Sequence, residues 1–174
     1  MNIGTRKQLF IDERFVETSE GLRFCLNPPH QHPDPVLVGD RPWEKLGICS
    51  YNTVMKEGDR GFRLWYGAML ETGLPQEGAI RLGYAESEDG IQWNEHPGNP
   101  ILTGRDISWG RLIQTPFVVH DAATGLFRMW FVSGDGVTRD ESGKKIIGND
   151  QKLAYATSKD GIKWTVHDKP LYSV

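Results

Sequence analysis

One decapeptide occurs twice, and that repeat constrains the fold more than any single residue does. Tyr84-Ala85-Glu86-Ser87-Glu88-Asp89-Gly90-Ile91-Gln92-Trp93 returns as Tyr155-Ala156-Thr157-Ser158-Lys159-Asp160-Gly161-Ile162-Lys163-Trp164. A recurrence at so long a spacing marks an array of like structural units. The likeness runs on, because Phe62-Arg63-Leu64-Trp65 recurs as Phe127-Arg128-Met129-Trp130. Each copy also leaves through a proline, in Asn99-Pro100-Ile101-Leu102 and in Lys169-Pro170-Leu171-Tyr172. The tryptophans at 93 and 164 lie 71 positions apart and those at 65 and 130 lie 65 apart, so the second copy carries six more residues between its halves. The extra length falls in a loop, Ser133 to Gln151, which is polar and reads as mobile.

Helical periodicity is hard to find, whereas short β-prone runs bounded by Gly, Asp, Asn and Pro recur throughout. The chain reads as all-β. Strands are expected near 48–55, 62–68, 80–87 and 91–95 in the first copy, and near 112–119, 126–132, 152–158 and 162–167 in the second. Four strands per copy is the make-up of a β-propeller blade, a four-stranded antiparallel sheet packed face to face with its neighbours. Asp89 and Asp160 are placed to accept backbone N–H groups across a turn, and Gly90 and Gly161 supply the positive φ that closes it. Ile91 with Trp93, and Ile162 with Trp164, then project to one face, and each tryptophan is expected between blades.

With 174 residues, 38% hydrophobic and 25% charged, the composition is that of a globular chain of one domain, 1–174. Within it, 1–47 holds N-terminal strands and a Pro-rich connection, 48–102 one blade and 112–172 another. Twenty basic residues stand against 23 acidic ones, and no run of Lys or Arg exceeds two, so nucleic acid is not an expected partner. No stretch approaches the roughly 18 apolar residues of a membrane helix, and the N-terminus lacks the apolar core of a secretory signal, so a cytoplasmic location without membrane contact is expected. Cys25 and Cys49 are too few for a disulfide framework.

Upstream of the repeats, Leu9 to Val16 reads as a strand and turn, and Leu22 to Leu26 as a second strand. Asn27 to Pro35 is too rich in proline for a ladder. Its continuation Val36-Leu37 resembles the blade exits at Ile101-Leu102 and Leu171-Tyr172. Two blades and a partial one leave broad apolar faces uncovered. The expectation is an incomplete propeller, completed by C-terminal blades beyond Val174 or by assembly as a homo-oligomer.

The two decapeptides with their exits resemble the five-bladed β-propeller glycoside hydrolases, the superfamily of arabinanases, β-xylosidases, invertases and levansucrases, over about 160 residues. The resemblance also takes in Gln8 to Val16 and Arg41-Pro42-Trp43-Glu44. It implies an axial funnel lined by the innermost strand of each blade, with carbohydrate as the partner and acids from several blades as the catalysts. The sequence departs from the pattern, since neither inner strand, Ile48 to Met55 or Leu112 to Val119, holds a carboxylate. Either the chain is a hydrolase whose acids come from elsewhere, or it is a non-catalytic sugar-binding or assembly module.

Scaffold positions recur between copies, and ligand contacts differ. His96 and His167 both follow the repeated tryptophan by three residues and read as scaffold. Tyr51 and Asn52 stand where the second copy has Thr115 and Pro116, and Gln114 has no counterpart. These are the candidates for the funnel wall, Asn52 and Gln114 for hydroxyl recognition and Tyr51 for stacking on a sugar face. Trp43-Glu44 and Arg105 to Trp109 lie on the connections before the two inner strands, where Glu44 and Asp106 are the candidate acids and Trp43 and Trp109 further sugar contacts. No cofactor is expected. His30 and His32 lack a third ligand for a metal, and Gly134-Asp135-Gly136 opens no helix that could cradle a phosphate.

Overall fold

A computed structural model describes residues 4–5, 9, 12–70, 80–134, 137–139, 145–147 and 151–173. It divides into two units, Met1–Pro33 and Asp34–Val174. In the first, Asp12 caps a short 3-10 turn at Glu13–Phe15, its carboxylate accepting from the Arg14 N–H at 3.0 Å. Phe10 and Ile11 of the expected first strand lie outside the described residues. The expected strand at Leu22 to Leu26 does not form, and Leu22 and Leu26 stand 80% and 93% exposed. A strand needs a partner ladder, and this unit offers none among its described residues.

The second unit holds two antiparallel sheets, and the strand boundaries follow the hydrophobic pattern closely. In the first sheet β1 (Gly47–Ile48) and β2 (Thr53–Lys56) both pair with β3 (Phe62–Met69), which pairs with β4 (Ile80–Ser87), which pairs with β5 (Asn94–Glu95). The expected inner strand is thus one edge broken in the middle. Asn52 bridges the break, its side-chain amide donating to the Cys49 carbonyl at 2.8 Å and its Oδ1 accepting from the Gly67 N–H at 3.3 Å. The second sheet runs β6 (Gln114–Asp121), β7 (Leu126–Ser133), β10 (Lys152–Ser158) and β11 (Trp164–Val166), with β12 (Tyr172–Ser173) also on β10.

The loop from Ser133 to Gln151 is not structureless. It carries a two-stranded ribbon of β8 (Val137–Arg139) and β9 (Lys145–Ile147). Asp135 and Gly136 lie outside the described residues.

Both copies of the decapeptide make the same turn. Asp89 Oδ1 accepts from the N–H groups of Ile91 and Gln92, each at 2.8 Å, and Asp160 does the same for Ile162 and Lys163. Ser87 and Ser158 add a second acceptor, taking the N–H of Gly90 and Gly161 at 2.8 and 2.9 Å. The N–H groups on Asp89 hold its carboxyl below the ordinary value. Gly90 and Gly161 both sit at φ +79°, where a Cβ is penalised. Residues 91–93 bend rather than extend, so Ile91 is left 40% exposed.

The sheets stack face to face. Between them lies the main core, in which Trp65, Leu82 and Tyr84 of the first sheet meet Val118, Phe127, Met129, Phe131, Ala154 and Ala156 of the second. The connection from Leu102 through Ile107 to Trp109 fills the gap between the two. Trp164 packs into this core, as expected of a tryptophan between blades. Trp93 does not: it lies on the opposite face of the first sheet with Leu64, Tyr66, Leu37 and Trp43. The difference follows from the stacking, because each repeated tryptophan covers the front of its own blade and, among the described residues, only the second blade has a sheet stacked in front.

The contact between the sheets is latched by polar bonds. Trp65 Nε1 donates to the Gly161 carbonyl at 2.7 Å, and Arg63 Nη1 donates to the Asp160 carbonyl at 3.0 Å. The Arg63 guanidinium also lies 5.2 Å from the Phe127 ring centre.

Candidate functional site

The inner strands of the two sheets meet through one side chain. Thr53 Oγ1 donates to the Pro116 carbonyl at 2.7 Å and accepts from the Val118 N–H at 3.1 Å, so a hydroxyl takes the place of a ladder bond between blades. Tyr51 and Asn52 lie just before this bridge, and Gln114 and Thr115 just before its partner. The two segments that carry the funnel-wall candidates are therefore joined at this bridge. Tyr51 is 65% exposed here, whereas Phe117, 59% exposed, packs on Trp130 at 6.2 Å on the face of the second sheet that points away from the first.

The backbone is strained at this point. Thr115 has φ +54°, a region that β-branched residues avoid, and the pairing of β6 with β7 shifts register between Gln114 and Phe117. A bulge of this kind turns side chains away from the sheet pattern, and backbone strain clusters at binding sites. The proline at 116 contributes, because it has no N–H for a regular ladder. In the sequence Thr115 stands out only as a point where the copies differ; its conformation has no sequence signal.

The candidate acids lie elsewhere. Glu44 does not reach open solvent: its side chain is fully buried, accepting from Tyr66 Oη at 2.8 Å and from the Arg41 N–H at 3.2 Å. Burial and the Glu44 carboxylate push the Tyr66 hydroxyl strongly up, which keeps it a neutral donor. Asp40, Glu44 and Glu95 each bring a carboxylate oxygen within 4.8 Å of the others. A hard cation could be held by such a set, but Arg41 already occupies it, with Nε 3.2 Å from Asp40 and 3.3 Å from Glu95. Burial and the neighbouring Glu44 raise the Glu95 carboxyl, and Arg41 opposes them. The cluster reads as an ion-pair network that ties the 37–44 connection to the front of the first blade.

Asp106 caps the 3-10 turn Gly104–Asp106, its Oδ2 accepting from the Thr103 N–H at 2.8 Å and the Thr103 hydroxyl at 3.1 Å. Trp43 stacks on Tyr66 with ring centres 5.9 Å apart, and a Cβ at Gly83 would meet its ring at 2.7 Å. Trp109 donates to the His167 carbonyl at 3.2 Å and lines an open cleft of about 610 Å³ with Arg105, Arg111 and Lys152. Of the seven sequence candidates, Tyr51, Asn52 and Gln114 lie within two residues along the chain of the Thr53 to Pro116 bridge, and the other four lie on the two connections. His96 accepts from the Gly98 N–H at 3.0 Å, and His167 Nδ1 lies 3.0 Å from the Lys169 carbonyl. Both serve the turns after the repeated tryptophans.

No protein-family model matches the chain, and no curated protein matches it. Solved structures do. One described as a glycoside hydrolase superposes with a TM-score of 0.56 at 23% identity, over 79% of this chain and 38% of its own. A complex of BT0996 and RGII gives 0.55 at 22%, over 80% and 38%. A glycoside hydrolase candidate from Bacteroides ovatus ATCC 8483 gives 0.53 at 21%, over 82% and 41%. The fold is that of the β-propeller glycoside hydrolases. The two stacked sheets are propeller blades, and the chain spans about two fifths of the length of these structures, 38–41%. At such identities the likeness is one of fold, and function must be argued from the site.

Proposed function

We propose that the chain is a carbohydrate-active propeller related to glycoside hydrolases, and that its inner-strand surface holds a glycoside. The observation that carries this reading is the Thr53 to Pro116 bridge, which joins the segment of Tyr51 and Asn52 to that of Gln114 and the strained Thr115. A sugar presents an apolar ring face and a rim of hydroxyls, and an exposed aromatic ring beside amides matches both. Asn52 Nδ2 and Oδ1 are committed to the backbone, so Gln114 is the freer amide and Asn52 holds the wall in place.

Hydrolysis needs two carboxyl groups flanking the glycosidic bond. Glu44 is enclosed and Asp106 spends an oxygen on its own cap, so this part of the fold supports binding more strongly than cleavage. A screen of aryl-glycosides tests both readings. Turnover that survives Glu44→Gln and Asp106→Asn supports a hydrolase with its acids elsewhere. Loss of turnover in either variant would return that residue to a catalytic role. No turnover, with binding that weakens about tenfold in Tyr51→Ala or Gln114→Ala, supports the non-catalytic module. Binding that ignores both substitutions overturns the proposed surface.

A further inference from the structure

The connection between the two sheets carries a site that the inner-strand surface does not use. Arg105, Trp109 and Arg111 of this connection line the open cleft of about 610 Å³, and Lys152 of β10 completes the set. The charge there has one sign: two guanidiniums and an ammonium line the cleft, and no carboxylate is among its lining residues. Asp106, the only acid from Thr103 to Arg111, is spent on its own cap, with Oδ2 accepting from the Thr103 N–H at 2.8 Å and the Thr103 hydroxyl at 3.1 Å. Like charges gathered around a concavity focus a potential that draws the opposite sign. The planar fork of arginine, moreover, matches an oxyanion.

The backbone behind these side chains is fixed. The Arg111 N–H donates to the Gly134 carbonyl at 2.8 Å, and Lys152 is laddered between Ser133 and Ser173. Gly110 lets the connection close onto the second sheet, since a Cβ on it would collide with the buried Ser133 hydroxyl. Trp109 is pinned through its indole nitrogen, which donates to the His167 carbonyl at 3.2 Å, and it packs against the core that holds Ile107. A ring ordered in advance offers contact area at little entropic cost on binding.

Size and place narrow the occupant. An inorganic oxyanion would leave the indole unused and fill little of a cleft whose volume falls in the range of small-molecule sites, roughly 300–1,000 Å³. The cleft also adjoins the glycoside surface: Arg111 precedes Gln114 by three residues, and Gln114 pairs with Val132, which pairs with Leu153 next to Lys152. Each such ladder step is about 4.8 Å.

We infer that the cleft binds an acidic sugar, a uronate unit whose carboxylate is held by the cations and whose ring lies against Trp109. The inference rests on the glycoside reading above and names the class of sugar.

Calorimetric titration of the chain with the disaccharides of glucuronic and galacturonic acid, their methyl esters, inorganic phosphate and AMP tests it. At least one uronate should bind, and its uncharged methyl ester should bind about tenfold more weakly. Arg105→Gln and Arg111→Gln should each weaken the uronate about tenfold and leave the ester unchanged. Both side chains are exposed, so the variants keep the fold. Raising the ionic strength to about 1 M, where the screening length is about 3 Å, should weaken the uronate as well. Tyr51→Ala, which probes the inner-strand surface, should leave the preference for uronate over ester intact. Uronate and ester that bind equally overturn this inference and leave the glycoside reading standing, whereas failure of every sugar to bind overturns both. Phosphate or AMP that binds as tightly as the uronate, or a uronate preference that survives both Arg105→Gln and Arg111→Gln, also overturns it.

Discussion

Gly90 and Gly161 form a matched pair in which a single methyl group measures the contact between the blades. Both have φ +79°, so alanine at either position meets the same backbone penalty of about 1–2 kcal/mol. Their surroundings differ. A Cβ at position 90 has its nearest neighbour in the Phe62 ring at 3.6 Å, an ordinary contact, whereas at position 161 it would stand 2.9 Å from Trp65 Cζ2. Trp65 cannot retreat, being fully buried and bonded to the Gly161 carbonyl at 2.7 Å. Overpacking of this sort costs a further 1–3 kcal/mol or so. Gly161→Ala should therefore lose about 2–5 kcal/mol in all. In a chain of this size each kcal/mol lowers Tm by about 2–4 °C. Equilibrium urea unfolding reads the difference directly. With Trp65→Leu in the background the two glycines should cost the same, which closes a double-mutant cycle. Equal costs in the wild-type background, or a larger cost at Gly90, would refute the stacking of Trp65 on the second blade's turn.

Other outcomes follow from the same structure. Thr115→Gly releases a left-handed backbone worth about 1–3 kcal/mol, set against about 0.5–1 kcal/mol of extra chain entropy, so the melting temperature should rise. If Thr115 shapes the sugar surface, glycoside binding should fall in the same variant. Glu44→Ala strips an acceptor from both Tyr66 Oη and the Arg41 N–H and should cost about 2–4 kcal/mol by urea unfolding, whereas Glu44→Gln, which keeps an acceptor for Tyr66, should cost less than half of that. The bidentate Arg128 guanidinium holds the Asp121 carboxyl at about 2, below its usual 3.8. Between those values the unfolded chain binds more protons than the folded one, so this contribution to stability is present above about pH 4 and disappears as pH falls toward about 2. Asp121→Asn should flatten that part of the stability profile.

What could be read in the sequence is what the two copies share. Period-two patterning and the Ser-x-Asp-Gly turn place the strands to within a few residues, because local backbone chemistry decides them. The blade is likewise legible, since four such strands have few other ways to bury one face each. Interactions between distant parts of the chain leave no such mark. Glu44 reads as a loop acid because nothing in Trp43-Glu44-Lys45 announces that Tyr66 and Arg41 will enclose it. Trp93 and Trp164 occupy like sequence contexts, yet only Trp164 lies between blades, because the difference is set by neighbours. The strand expected at Leu22 to Leu26 has the right side chains and no ladder to join. Within the candidate site, the difference between the copies marks Tyr51 and Gln114, and the Thr53 bridge that unites them appears only in three dimensions.

The central claim is that the shared positions build the blades and the differing inner-strand positions meet the ligand. Backbone amide NMR shifts, followed as the chain is titrated with a panel of furanosides and pyranosides, test it most directly. The account predicts that the shifts of a bound glycoside gather at Tyr51, Asn52, Gln114 and Thr115 and spare both Ser-x-Asp-Gly turns. Shifts centred on the turns, or on Asp40, Glu44 and Glu95, would contradict it.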